Sequence, residues 1–118
     1  MSETTLWTNS APTNDFSAQT VTLSDSIQNY KAIRIYYRIS KTVSDTYYVD
    51  FPKELVLNSL NANDKPNMVI AAINSNLTYI RIIRYDSNTT YEIKDAYRIN
   101  ASGTQNAAVI PTKICGLK

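Results

Sequence analysis

The sequence predicts an all-β fold, a β-sandwich or jelly-roll-like domain of about eight short antiparallel strands. Three observations predict it. Apolar and polar residues alternate one by one in several segments, which is the period of a strand with one buried face and not that of a helix. Polar turn segments separate these stretches at the roughly 8–12-residue spacing of sandwich domains. With only 2 Gly in 118 residues, the turns fall largely to the 12 Asn, which tolerate left-handed backbone better than other side-chain-bearing residues.

Taken in order, Thr5–Thr8 and Gln19–Leu23 are short strand candidates. Ala32–Ile39 is the clearest strand: Ile33, Ile35, Tyr37 and Ile39 fall on one face, and Arg34, Tyr36 and Arg38 on the other. Thr46–Phe51 is a weaker candidate. Glu54–Leu60 reads as a helical turn or an excursion between strands, and Asn61–Pro66 as a loop. Met68–Ile73, Leu77–Tyr85 and Tyr91–Ile99 then form three consecutive antiparallel strands, joined at Asn74–Asn76 and at Asp86–Thr89, where an Asn supplies the positive φ. In Leu77–Tyr85 the alternation slips: Ile80 and Ile82 share a face with Arg84 while Ile83 points the other way. That pattern asks for a bulge or for cover on both faces. Tyr91–Ile99 places Tyr91, Ile93, Tyr97 and Ile99 on its apolar side, with Asp95 as the single charge among them. Ala107–Cys115 closes the set, and the whole chain, 1–118, is read as one domain.

Composition excludes several function classes. The net charge is +2, from 12 Lys+Arg against 10 Asp+Glu, and the cations are dispersed, which argues against nucleic acid as a partner. No apolar run approaches the roughly 20 residues of a membrane-spanning helix, so no membrane association is expected. The first residues, MSETTL, lack the apolar core of a secretory signal, so synthesis and folding in a cytoplasm are expected. There is no histidine and a single cysteine, Cys115. A Ser-His-Asp triad, a Cys-His pair and a His-ligated metal are therefore unavailable, and no catalytic residue, metal or cofactor is expected.

Nine tyrosines against two phenylalanines and one tryptophan favour a contact surface, because tyrosine packs its ring and keeps a hydroxyl at the surface. The candidate binding face consists of Tyr36, Tyr47, Tyr48, Tyr79 and Tyr85, with Arg34 and Arg81, and also Arg38 and Arg84, supplying charge for an anionic glycan. Half-buried sheet positions are the competing explanation for the tyrosines, and solvated sheet faces or cross-strand ion pairs for the arginines. The acids Asp45, Asp50, Glu54, Asp64, Asp86, Glu92 and Asp95 show no marked two-carboxylate pair of the kind a glycosidase uses. Cys115, flanked by apolar residues, reads as a small buried hydrophobe.

The two ends of the chain carry a resemblance. Thr5–Phe16 (TLWTNSAPTNDF), Ala18–Asp25 (AQTVTLSD) and the closing Ile110–Lys118 (IPTKICGLK) resemble a small domain of tailed bacteriophages and prophages of Gram-positive hosts. That domain usually ends in Ile-Pro-x-x-Ile-Tyr-Gly, and Cys115 stands here where a Tyr is usual. The resemblance implies a virion structural protein of a tail fibre tip or baseplate, with other virion proteins as partners. Host cell-surface carbohydrate is the expected receptor. Assembly as a homotrimer is expected, and it would explain an apolar residue set on both faces of Leu77–Tyr85. A capsid decoration or head-fibre protein is the alternative, and a glycan-active enzyme a third. Trp7 and Phe16 are expected to staple the first strand to the core, and Pro111 and Gly116 to restrict the last strand to an edge or a bend.

Overall fold

The alternation of Ala32–Ile39 places Ile33 and Ile35 on an inner face, and both are fully buried there. A computed structural model describes residues 2–53 and 67–118. The expected excursion at Glu54–Leu60 and loop at Asn61–Pro66 lie outside the described residues. Nine strands run through them: β1 (Glu3–Thr8), β2 (Gln19–Thr22), β3 (Ala32–Ser40), β4 (Tyr47–Pro52), β5 (Asn67–Asn74), β6 (Leu77–Ser87), β7 (Thr90–Ile93), β8 (Tyr97–Arg98) and β9 (Ala108–Leu117). A short 3-10 turn, Ile27–Asn29, precedes β3. Among the described residues no helix is long and apolar enough to cross a membrane.

The strands form two antiparallel sheets, ordered β1-β9-β3-β4 and β2-β7-β6-β5, with β8 also paired to β6. This is a β-sandwich. Leu6, Ile33, Ile35, Ile110 and Ile114 from one sheet meet Val21, Met68, Ile70, Ile83, Tyr91 and Ile93 from the other. Each such aliphatic side chain contributes about 1.5–3 kcal/mol on burial. Trp7 and Phe16 meet edge to face at 6.0 Å, as the staple requires.

Three features depart from the sequence expectations. The seventh segment is not one strand, because the chain breaks at Lys94–Ala96. Asp95 leaves the ladder there to accept hydrogen bonds from the Ala18 N–H and the Asn106 side chain, both at 2.8 Å. The break turns Tyr97 and Ile99 outward, where they are exposed. Next, β9 is not an edge strand: it lies between β1 and β3. Pro111 is accommodated by a register shift, Tyr36 pairing with Lys113 and Tyr37 with Pro111, which spares the ladder a missing N–H. Finally, Asn88 does not supply a positive φ. It accepts the Tyr85 hydroxyl at 2.5 Å, and the left-handed hairpin residues are Ser75 (φ 52) and Asn76 (φ 66) between β5 and β6, a two-residue turn suited to strand twist.

Asp25 and Asp95 anchor loops at opposite points of the sandwich. Asp25 accepts the Tyr30 hydroxyl at 2.8 Å, the Ser26 N–H and the Asn29 amide. These bonds, the Tyr30 hydroxyl first, hold its carboxyl below the usual value. The Asn106 amide and then the Ala18 N–H do the same for Asp95. A folded-state value below the unfolded one gives stabilisation that is present above the unfolded value, about 3.9, and is lost as pH falls through the folded value. Thermal melts therefore lose midpoint as pH drops below about 4, and Asp95→Asn flattens that acid limb. An unchanged acid limb in the variant would remove Asp95 from this account.

Candidate functional site

The outer face of the β1-β9-β3-β4 sheet brings together charged and aromatic side chains from all four strands. Register places Tyr36 opposite Tyr48 on one side and Lys113 on the other, and Arg34 opposite Asp50 and Cys115. The Tyr36 and Tyr48 rings lie 5.7 Å apart and tilted by 54°. The Arg34 guanidinium sits 4.1 Å from the Tyr48 ring centre and donates to both oxygens of Asp50, at 2.7 and 2.9 Å. Glu3 takes part too, 3.8 Å from Arg34 and accepting the Tyr36 hydroxyl. That bond, and then burial, raises the Tyr36 pKa and keeps the hydroxyl a donor. The bidentate pair with Asp50 likewise holds Arg34 firmly charged. Tyr48 remains 57% exposed, so its position is fixed while much of its surface faces solvent.

Beside this group a cleft of approximately 380 Å³ opens against Tyr36, walled by Pro12, Lys113 and the threonines Thr8, Thr46 and Thr112. Its volume lies within the usual range of small-molecule pockets. Asn9 completes the wall but is committed to the backbone, donating to Pro111 O and accepting from the Ala11 N–H at 2.9 Å each. The Lys113 ammonium rests 4.6 Å from the Tyr36 ring centre.

The predicted binding set divides accordingly. Arg34, Tyr36 and Tyr48 share this face. Tyr47, 41% exposed, belongs to the opposite face of β4 and lies 6.0 Å from Tyr37. Tyr79 packs against the core. Tyr85 is a core residue, 5% exposed, edge to face with Tyr91, and therefore offers no binding surface. Arg81 is likewise removed from any surface, being fully buried. Odd-numbered residues of β6 face inward, so the interior receives Tyr79, Arg81, Ile83 and Tyr85 while Ile80, Ile82 and Arg84 take the outer face.

Burial of Arg81 is matched by hydrogen bonding. Its Nε donates to Val109 O at 3.0 Å, Nη1 to Phe16 O and Lys94 O at 2.8 Å, and Nη2 to Ala108 O at 3.0 Å. Desolvation pushes its pKa down to about 10, which leaves it charged at neutral pH. Val109 adopts φ 48, a costly backbone for a β-branched residue, at the carbonyl that meets the guanidinium.

Glu3, Asp50 and Lys113 belong to the face but were absent from the predicted set, since only strand register brings them to Arg34 and Tyr36. The acids are engaged separately: Asp50 by Arg34, Glu92 by Lys94, Asp95 by Ala18 and Asn106. Among the described residues no group of three or more His, Cys, Asp or Glu converges as a metal site would require. Cys115 is buried beneath this face, its thiol 3.9 Å from the Thr5 hydroxyl, and burial raises its pKa. The fold and this face define an antiparallel β-sandwich domain with a polar aromatic sheet surface. Comparison with protein-family models and with curated proteins finds no match.

Proposed function

We propose that the chain is a non-enzymatic bacteriophage virion protein, a tail-fibre or baseplate domain that recognises carbohydrate on the host cell surface. The resemblance at Thr5–Asp25 and Ile110–Lys118 supports the virion assignment. The observation that carries the carbohydrate reading is the exposed Tyr48 ring, immobilised by Arg34 next to Tyr36 and the cleft. A fixed aromatic surface flanked by polar groups suits sugar rings, which present C–H groups to a π face and hydroxyls at their rims.

Fluorescently labelled protein is expected to sediment with purified Gram-positive cell walls, and Tyr48→Ala to weaken that binding by about tenfold, the scale of one lost aromatic contact. Wall binding indifferent to Tyr48→Ala would remove this face from the function. Light scattering on the same preparation is expected to give three times the chain mass, the homotrimer of a fibre tip, with other virion proteins as its neighbours.

One observation favours the second reading, a capsid decoration or head-fibre protein. The outer face of the other sheet exposes Val69 and Ile73 on β5, then Tyr97 and Ile99 at and after β8, at 39–68%. An apolar patch of this kind suits contact with another protein. Binding to capsids in place of walls is the outcome that selects it.

A further inference from the structure

The charges on the outer sheet face are not equally available. Arg34 is consumed by Asp50 and Glu3, and Arg38 donates to Val43 O at 2.8 Å. Lys113 stands differently: among the described residues no carboxylate pairs with its ammonium, which rests against the Tyr36 ring at the wall of the cleft. Around it, Thr8, Thr46 and Thr112 carry hydroxyls with no hydrogen bond to any described residue. Tyr36 is held in place from outside the cleft by Glu3. The site therefore combines one unpaired cation, three free hydroxyls and a fixed aromatic wall.

A ligand that closes over an ammonium strips it of water, and only an anionic acceptor repays that loss in full. Resting on the carbohydrate reading above, we infer that the saccharide is anionic and that the cleft against Tyr36 seats one of its charged groups. Lys113 pairs with the anion, the three hydroxyls bond the neighbouring oxygens, and Tyr36 packs against the sugar carbons. Phosphodiester and carboxylate groups meet this chemistry equally.

The test is a calorimetric titration of the whole protein with three polymers: a glycerol-phosphate polymer, a uronic-acid polymer and neutral dextran. One or both anionic polymers are expected to bind more tightly than dextran, and which of them binds identifies the anion. Lys113→Gln weakens that binding about five- to tenfold and lowers its salt dependence, while Lys113→Arg keeps both near the parent value. Lys53→Gln, which alters a cation away from the cleft, leaves binding unchanged. Dextran bound as tightly as either anion, or anionic binding unmoved by Lys113→Gln while Tyr48→Ala still weakens it, overturns the inference and leaves the carbohydrate reading standing. Failure to bind these polymers or cell walls removes both. Thermal melts of each variant verify that the fold is retained, since the Lys113 side chain contacts the exterior of the sheet.

Discussion

Arg81→Met loses about 3–5 kcal/mol of stability, a large part of what a domain of this size has in total. The guanidinium serves four backbone carbonyls, those of Phe16, Lys94, Ala108 and Val109. A thioether fills the volume but leaves all four acceptors buried and unmet, each at a cost of about 1–3 kcal/mol before relaxation. Arg81→Lys recovers only part of the loss, because an ammonium donates from one point and cannot span carbonyls on three segments. Urea unfolding monitored by tyrosine and tryptophan fluorescence gives the numbers. A methionine variant within 1 kcal/mol of the parent would show that the carbonyls find water or one another, and that the arginine is mere filler. The same variant is expected to loosen Phe16–Ala18 and Asn106–Val109 together, visible as faster amide exchange in both.

Gly116→Ala is the second large effect. Gly116 lies in β9 with the Tyr30 ring directly over it, and a Cβ built there comes far inside contact distance of the ring carbons Cγ and Cδ1. The ring has little room to retreat, since Tyr30 is 3% exposed and its hydroxyl is held by Asp25. Overpacking of this kind costs about 1–3 kcal/mol. The check is a double-mutant cycle: in a Tyr30→Ala background, Gly116→Ala is expected to cost much less, because the clash is gone. Equal costs in both backgrounds would show that the Tyr30 ring is not what excludes a side chain at this position.

These two residues also mark where the sequence was legible and where it was not. Alternation located β3, because Ile33 and Ile35 are buried and Arg34 and Tyr36 are not, as a period of two demands, while Tyr37 and Ile39 pack against the core only partly buried. It failed on β6, where Arg81 occupies an inward position that any hydropathy rule gives to the surface. Nothing local to Arg81 announces the four carbonyls, since they come from residues 13 to 65 positions away in the chain. Tyr85 misled for the related reason that tyrosine is at home in a core and at a surface. The break at Asp95 was visible as a charge on an apolar face, and reading it as a strand end would have turned Tyr97 and Ile99 outward. For the face around Tyr36, the sequence supplied Arg34, Tyr36 and Tyr48 from two predicted strands. Glu3 and Lys113 needed the pairing of β9 with β1 and β3, a long-range fact that no short window contains.

The position of β9 bears on the order in which the molecule can be assembled. Among the described residues, 108–117 supply the only neighbour that β1 and β3 share, so one whole layer has a gap at its centre until that ten-residue strand arrives. The other layer has no such gap: β5, β6 and β7 follow one another and pair in sequence. During synthesis the meander can form early, while β1 and the β3–β4 hairpin wait with open edges. Closing so long a loop is entropically slow, and insertion of the last strand is accordingly the expected rate-limiting event of folding.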